Sequence, residues 1–399
     1  MTTSPSYSRT FFTLSGLAVL SPLSMDGFLP AVDSAAKGLN TDVGQIMVAF
    51  GMLTIGNGIG QIIYGPLSDR FGRRPIIIAG LLIYILSSGL SALANDVEML
   101  FLFRFIQGLA VASTMIILRA VVRDLFGVTE GAKLFANLFM VLALIPLIAP
   151  ILAGHLTVWF GWRAVFVMMA VVSLIVLAII LYFLEESLQE KDVRAMTPKV
   201  LAVSFAEIIT DRCFVTFLLI GTGAYAGLFA VLGGIAPVMT GTLGQTSDVF
   251  GYQFSAVMIG HFVAAALAGK LVGMLGIKKI LFIATSISLT GGLLIYFLAW
   301  AGITTIYAIL IPVALHLVGF AMTIPAMTAG ALSNFHHMAG RASSLLGFLQ
   351  QSAGAAVAIT LGLTADGTQF PMVTALAASS LFAFLAFAFM IPRVTLKAH

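Results

Sequence analysis

Apolar runs long enough to cross a bilayer recur along the whole chain, each ended by a short stretch in which glycine, proline or charge collects. A helix rises about 1.5 Å per residue, so about 20 apolar residues span a hydrocarbon layer about 30 Å thick. Runs of this kind lie at 10–31, 44–67, 74–94, 99–122, 133–157 and 163–184, then at 213–240, 248–272, 278–299, 303–329, 341–364 and 369–392. The pattern predicts an all-α polytopic membrane protein with twelve transmembrane helices. Its one long charged connection, residues 185–212, carries Lys191, Arg194, Lys199 and Arg212 beside several acids. This linker divides the chain into six-helix bundles at 1–184 and 213–399.

Composition excludes a soluble globule: 60% of the 399 residues are hydrophobic and 9% are charged, too little polar surface to cover a body of this size. The net charge of +4 does not point to nucleic acid, because the basic residues alternate between loops. Arg9, Arg70, Arg73, Arg74, Arg119, Arg123, Lys133, the linker residues, Lys270, Lys278, Lys279, Arg341, Arg393 and Lys397 fall on one side. Lys37 and Arg163 fall on the other. The rule that cytoplasmic loops are positive places the first side, with both termini, in the cytoplasm. Arg9 followed by a run containing Asp26 and Pro30 does not read as a cleaved signal peptide. The single Cys213 excludes an intrachain disulfide, and no Cys cluster offers a metal site.

Charge and glycine are densest between the second and third runs, at Gly65-Pro66-Leu67-Ser68-Asp69-Arg70-Phe71-Gly72-Arg73-Arg74-Pro75. Arginines cost about 2.5 to 3.5 kcal/mol each in hydrocarbon, so this is a tight loop at the membrane surface. A degenerate copy, Gly269 to Lys278, repeats the Gly, Leu and second Gly at the same spacing and sets Lys278 where Arg74 stands. It lacks the acid, since Gly273 replaces Asp69.

Within the first six runs only Asp26 and Arg104 are clearly charged. They lie on the first and fourth spans, each about five residues or about 8 Å from the outer end, and so share a depth. An intramembrane ionisable residue is a functional candidate by default, although a structural ion pair between the two spans would look the same. Burial and a neighbouring cation act on a carboxyl's proton affinity in opposite senses, the balance that a proton-carrying site requires.

The Gly-x-Leu-x-Asp-Arg-x-Gly-Arg-Arg loop closely resembles the loop between helices 2 and 3 of major facilitator superfamily transporters. Arg104, Gln107 and Gly108 resemble that superfamily's fourth-helix signature. Pro146, Pro150 and Gly154 resemble its fifth-helix antiporter signature, with Ala149 and Ala153 in place of two glycines. Ser24-Met25-Asp26-Gly27-Phe28-Leu29-Pro30 resembles the Met-Asp-x-Tyr-Leu-Pro stretch of the Bcr/CflA drug:proton antiporters, with Phe28 for Tyr. Trp162-Arg163-Ala164-Val165-Phe166 and Glu185-Glu186-Ser187-Leu188 look like the same group.

The resemblance implies the major facilitator fold, a bacterial inner-membrane location and export of lipophilic or amphipathic compounds, chloramphenicol-like drugs among them, in exchange for protons. Asp26 would carry the proton and Arg104 would tune it. Gly65, Asp69, Arg70, Gly72, Arg73, Arg74 and Asp124 would form a gating latch, with Arg73 on Asp124 and Asp69 against the start of the eleventh helix. Cavity candidates in the second half are Tyr225, Phe229, His261, His316 and Gln350; a lone histidine in such a setting is more often a packing residue. His336 and His337 are adjacent and so do not face each other, which argues against a metal. The 18 Met and 31 Phe residues suit an adaptable apolar cavity or lipid-facing packing. The expected partners are a small-molecule substrate and membrane lipid, with the protein a monomer, protons the coupling ion and no cofactor. A proton-linked exporter of a sugar or amino acid is the alternative transport reading. A channel or receptor fits the repeated halves less well, and no phosphate-cradling loop points to ATP.

Overall fold

The computed structural model describes residues 7–192, 197–335 and 338–393. Arg194, His336, His337 and Lys397 lie outside them, as do the side chains of Lys199 and Arg393. Twelve helices among the described residues are long and apolar enough to cross a membrane. In chain order the helices are α1 (Tyr7–Asp26), α2 (Val32–Gly38), α3 (Val43–Phe71), α4 (Arg73–Ala92), α5 (Val97–Leu125), α6 (Val128–Phe160) and α7 (Arg163–Phe183). They continue with α8 (Pro198–Thr210), α9 (Arg212–Ala236), α10 (Ser247–Leu275), α11 (Ile277–Trp300), α12 (Ile306–Leu332), α13 (Ala339–Leu363) and α14 (Phe370–Met390).

Acids at the helix starts explain several boundaries. Asp42, Asp96 and Asp211 accept the amide protons of Gln45, Met99 and Phe214 at 2.9, 2.7 and 2.7 Å. Each such cap is worth about 1 kcal/mol. The linker, read from sequence as the one long charged connection, holds the helix α8. It docks on the second half through Arg341, whose guanidinium donates to Ser204 Oγ at 2.9 Å.

The first span runs over Tyr7–Gly38, longer than predicted, because it is broken in two. Pro30 has no amide proton to give to Asp26, and its ring collides with a helical carbonyl four residues back. The chain responds with a short tight turn at Leu29–Ala31 before α2 resumes. Asp26 therefore sits at an interruption, twelve residues from the end of the span (38 − 26) and deeper than expected.

The two surface loops are conformational copies. α3 stops at Phe71 and α4 starts at Arg73, with Gly72 between at φ 111°. α10 stops at Leu275 and α11 starts at Ile277, with Gly276 between at φ 77°. Both backbones lie in a region that only glycine occupies without strain.

The halves meet along two helix pairs. α3 and α13 touch along their length, from Gly44 beside the Gly362 carbonyl to Gly65 near Ser344. α6 and α10 touch at the side away from the linker, where a Cβ on Gly154 would stand 2.6 Å from the Ser247 carbonyl. On the same side His155 Nε2 and the Tyr252 hydroxyl are 3.0 Å apart. The halves are thus in contact on the side away from the linker, and the remainder of α10 toward the linker side is largely exposed.

Candidate functional site

The polar centre of the first half is built on Arg104, which is fully buried. Its guanidinium donates to Gln107 Oε1 at 2.7 Å and to the Ser24 carbonyl at 3.1 Å. It lies over the rings of Phe28 and Phe166, at 4.8 and 5.6 Å from their centroids. Gln107 donates onward to Ser88 Oγ at 2.7 Å, and Ser24 Oγ shares a 2.6 Å hydrogen bond with the Tyr84 hydroxyl. Helices α1, α4, α5 and α7 each contribute to this node.

Asp26 does not pair with Arg104. Among the described residues neither group forms an ion pair, so the bridge anticipated between the first and fourth spans is absent. The reason is local: the interruption after Asp26 leaves the Ser24 carbonyl, two residues earlier, to receive the guanidinium. Asp26 remains 7% exposed. Arg104 is accordingly a buried cation held by neutral acceptors and aromatic faces, an arrangement in which ring quadrupoles replace part of the lost hydration. Tyr84 and Ser88 escaped the sequence reading, because neutral residues on an apolar helix carry no signal until a partner is seen; Phe28, Gln107 and Phe166 were visible only as motif letters.

At the linker side, Arg73 is 2% exposed and acts as a hub. It donates to Asp124 Oδ2 through Nε at 2.9 Å, to Ser68 Oγ at 2.8 Å, and to Asp69. Arg74 reaches the Leu181 carbonyl at 3.0 Å, and Arg70 lies with its guanidinium 5.3 Å from the Phe71 ring. The partners of Arg73 and Arg74 named here belong to the first half, so these two arginines tie α3, α4, α5 and α7 together. Asp69, expected against the start of α13, has its carboxylate on Arg73 one turn away. At the seam it is Gly65 that comes near Ser344, at ordinary contact distance.

Glu186 was missed as part of this cluster. Its carboxylate accepts the backbone amides of Arg73 and Arg74 at 2.9 and 3.1 Å, capping α4 from the far end of the first half. A Cβ on Gly72 would stand 2.5 Å from Glu186 Oε2, so the glycine is required by space as well as by φ.

In the antiporter-like stretch of α6, Pro150 and Gly154 form the outer contact with α10 at Gly251 and Ser247, while Pro146 lies one turn nearer the linker side. Of the second-half cavity candidates, Tyr225 and His261 are partly exposed and flank one ring, Phe320, at 5.4 and 5.9 Å between centroids. Phe229, His316 and Gln350 are buried. Phe229 packs on Phe50 at the α3/α13 seam. His316 Nδ1 is 3.0 Å from Ser380 Oγ, inside the α9, α11, α12 and α14 bundle. Gln350 Nε2 lies 3.4 Å from Met327 Sδ. His316 and Gln350 thus have second-half partners and Phe229 a first-half one, which hydropathy alone does not reveal.

Arg119, counted from sequence among the charges of one side, lies six residues inside α5. It is exposed, and together with Ala18, Met115, Leu118, Phe135, Leu138, Phe139 and Leu142 it lines a cleft between α1, α5 and α6.

Twelve spans in two six-helix sets, closed against each other on one side and with a polar node buried in the first, define a membrane transporter of the two-bundle type. The Major Facilitator Superfamily model matches residues 14–359, and the chain belongs to that family. Its sequence relatives include the Bicyclomycin resistance protein homolog of Haemophilus influenzae, 27% identical over 96% of both chains. Multidrug resistance protein D of Escherichia coli is 27% identical over 84% of this chain and 83% of its own. Chloramphenicol resistance protein of Pseudomonas aeruginosa is 27% identical over 92% and 87%. These are relatives of the Bcr/CflA type. The fold is also that of a crystallised D-xylose-proton symporter, with a TM-score of 0.73 at 19% identity over 98% of each chain.

Proposed function

We propose that the protein is a proton-coupled antiporter that exports small lipophilic or amphipathic compounds by alternating access across a bacterial inner membrane, with both termini cytoplasmic. The observation that carries this reading is the setting of Asp26. It is a nearly buried carboxyl at the interruption of the first span, without a paired cation among the described residues. A carboxyl that gains and loses water or a cationic neighbour as two bundles rock changes its proton occupancy with conformation. Arg104 holds the Ser24 carbonyl two residues away and so sets both the position of this helix end and the positive potential around it. The outer contacts of α6 with α10 would open in the opposite state, consistent with rocking about a site between the halves. Relatives named for resistance to bicyclomycin, multiple drugs and chloramphenicol support an exported drug-like substrate.

The test is transport of labelled chloramphenicol into everted proteoliposomes under an imposed pH gradient, comparing the parent with Asp26→Asn. Uphill transport is lost in the variant, while binding and downhill exchange survive. Equal gradient-driven accumulation by both proteins removes Asp26 from the coupling role.

A further inference from the structure

We propose that Arg119 is the anchor for the anionic group of an amphipathic ligand, so that the compound this transporter takes up from its linker-side cleft is an organic anion with an apolar tail. The inference rests on the transport reading and names the substrate class for it.

Four observations converge on this residue. Arg119 stands six residues, or about 9 Å, inside the end of a membrane-crossing helix, yet its side chain is exposed. A cation at that depth is costly in hydrocarbon, and such residues face the bundle interior or a water-filled cavity. No carboxylate pairs with it among the described residues, whereas Arg9, Arg73 and Arg123 each have one. Its one hydrogen bond there is a long one, from Nη1 to Ser343 Oγ at 3.3 Å, which leaves most of its five N–H donors for a ligand.

The surroundings supply the other half of the recognition. The cleft that Arg119 shares is otherwise lined by Met115, Leu118, Phe135, Leu138 and their apolar neighbours. Across the seam the Tyr225 hydroxyl of α9 lies within electrostatic reach of the guanidinium. One fixed cation at the edge of an apolar surface complements a carboxylate, sulfonate or phenolate carried on a hydrocarbon body. Arg104 cannot serve here, because it is fully buried inside the first half, with Nη1 and Nη2 donating to Gln107 and the Ser24 carbonyl. The Ser343 contact also crosses from α5 to α13, so an anion that captures the guanidinium competes with a link between the halves. The same headgroup chemistry could arrive on a dissolved solute or on an anionic lipid.

Binding to the full-length protein in phosphatidylcholine nanodiscs decides the matter, with octanesulfonate as the anionic probe and octyltrimethylammonium as the cationic one. Octanesulfonate binds the parent, weakens at least about tenfold in Arg119→Gln, and stays within a few-fold of parental in Arg119→Lys. Ser343→Ala binds it as well as the parent or better, an expectation that holds even if Arg119→Gln fails to fold. Octyltrimethylammonium is indifferent to all three. Equal octanesulfonate binding by parent and Arg119→Gln, weakened binding in Ser343→Ala, or preference for the cation overturns the proposal. In nanodiscs containing phosphatidylglycerol, loss of octanesulfonate affinity in the parent but not in Arg119→Gln identifies a lipid headgroup as the occupant; unchanged affinity identifies the free anion. Arg119-dependent octanesulfonate binding by a parent that shows no coupled export defeats the antiport reading and leaves this site standing.

Discussion

The carboxylate of Glu186 accepts the amide protons of Arg73 and Arg74 at 2.9 and 3.1 Å, so the chain leaving α7 returns to cap the start of α4. Two free N–H groups at a helix start and the positive end of its dipole are thereby met by a full negative charge. The turn before the cap belongs to Gly72, whose hydrogen atom faces that carboxylate.

Gly72→Ala therefore suffers twice, from a backbone conformation costing a side chain about 1–3 kcal/mol and from collision with Glu186. Gly276→Ala carries the backbone cost alone, because no atom lies within 4 Å of its would-be Cβ. Apparent Tm in detergent falls further for Gly72→Ala than for Gly276→Ala. Glu186→Ala restores part of the difference when combined with Gly72→Ala.

Arg73 is buried against Asp124, whereas the side chain of Asp69 is 41% exposed. Removing a partner from a buried cation costs several kcal/mol, while an exposed pair is worth about 1 kcal/mol or less. Asp124→Asn is thus expected to lower apparent thermal stability and folded yield sharply, with Asp69→Asn near parental. Equal losses would show that solvent reaches Arg73 freely.

Arg104→Lys tests whether charge alone suffices at the buried node. An ammonium cannot donate to Gln107 and the Ser24 carbonyl at once while lying flat on Phe28. Transport falls more than tenfold although the charge is kept, and Gln107→Leu falls with it. Parental rates in Arg104→Lys would reduce the residue to a point charge.

Outer closure is addressed at His155 and Tyr252, 3.0 Å apart on α6 and α10. With the single native cysteine replaced by alanine, a short bis-methanethiosulfonate reagent links His155→Cys to Tyr252→Cys and stops transport, and reduction restores it. Gly154→Leu, which places bulk against the Ser247 carbonyl, blocks the same closure and lowers turnover more than tenfold. Gly65→Ala, with only Ser344 Oγ at 3.8 Å, leaves turnover near parental. Cross-linked protein that still transports would place the gate elsewhere.

The twelve crossings and the surface position of both glycine turns were readable in one dimension. Bilayer thickness and the cost of charge in hydrocarbon act on each segment separately, whatever its neighbours. The Pro30 interruption was written locally too, although its effect on the depth of Asp26 emerged only when α2 was seen to continue the span.

Partnership was not readable in this way, because it depends on which helix faces come together between segments distant in the sequence. Packing gave Arg104 to the Ser24 carbonyl instead of Asp26, turned His316 and Gln350 into the second bundle, and carried Glu186 back to α4. It also left Arg119 facing a cleft inside the membrane. Hydrophobicity assigns a residue to the bilayer; only the crossing of helices decides whether a polar atom there meets a partner, an aromatic face or open space.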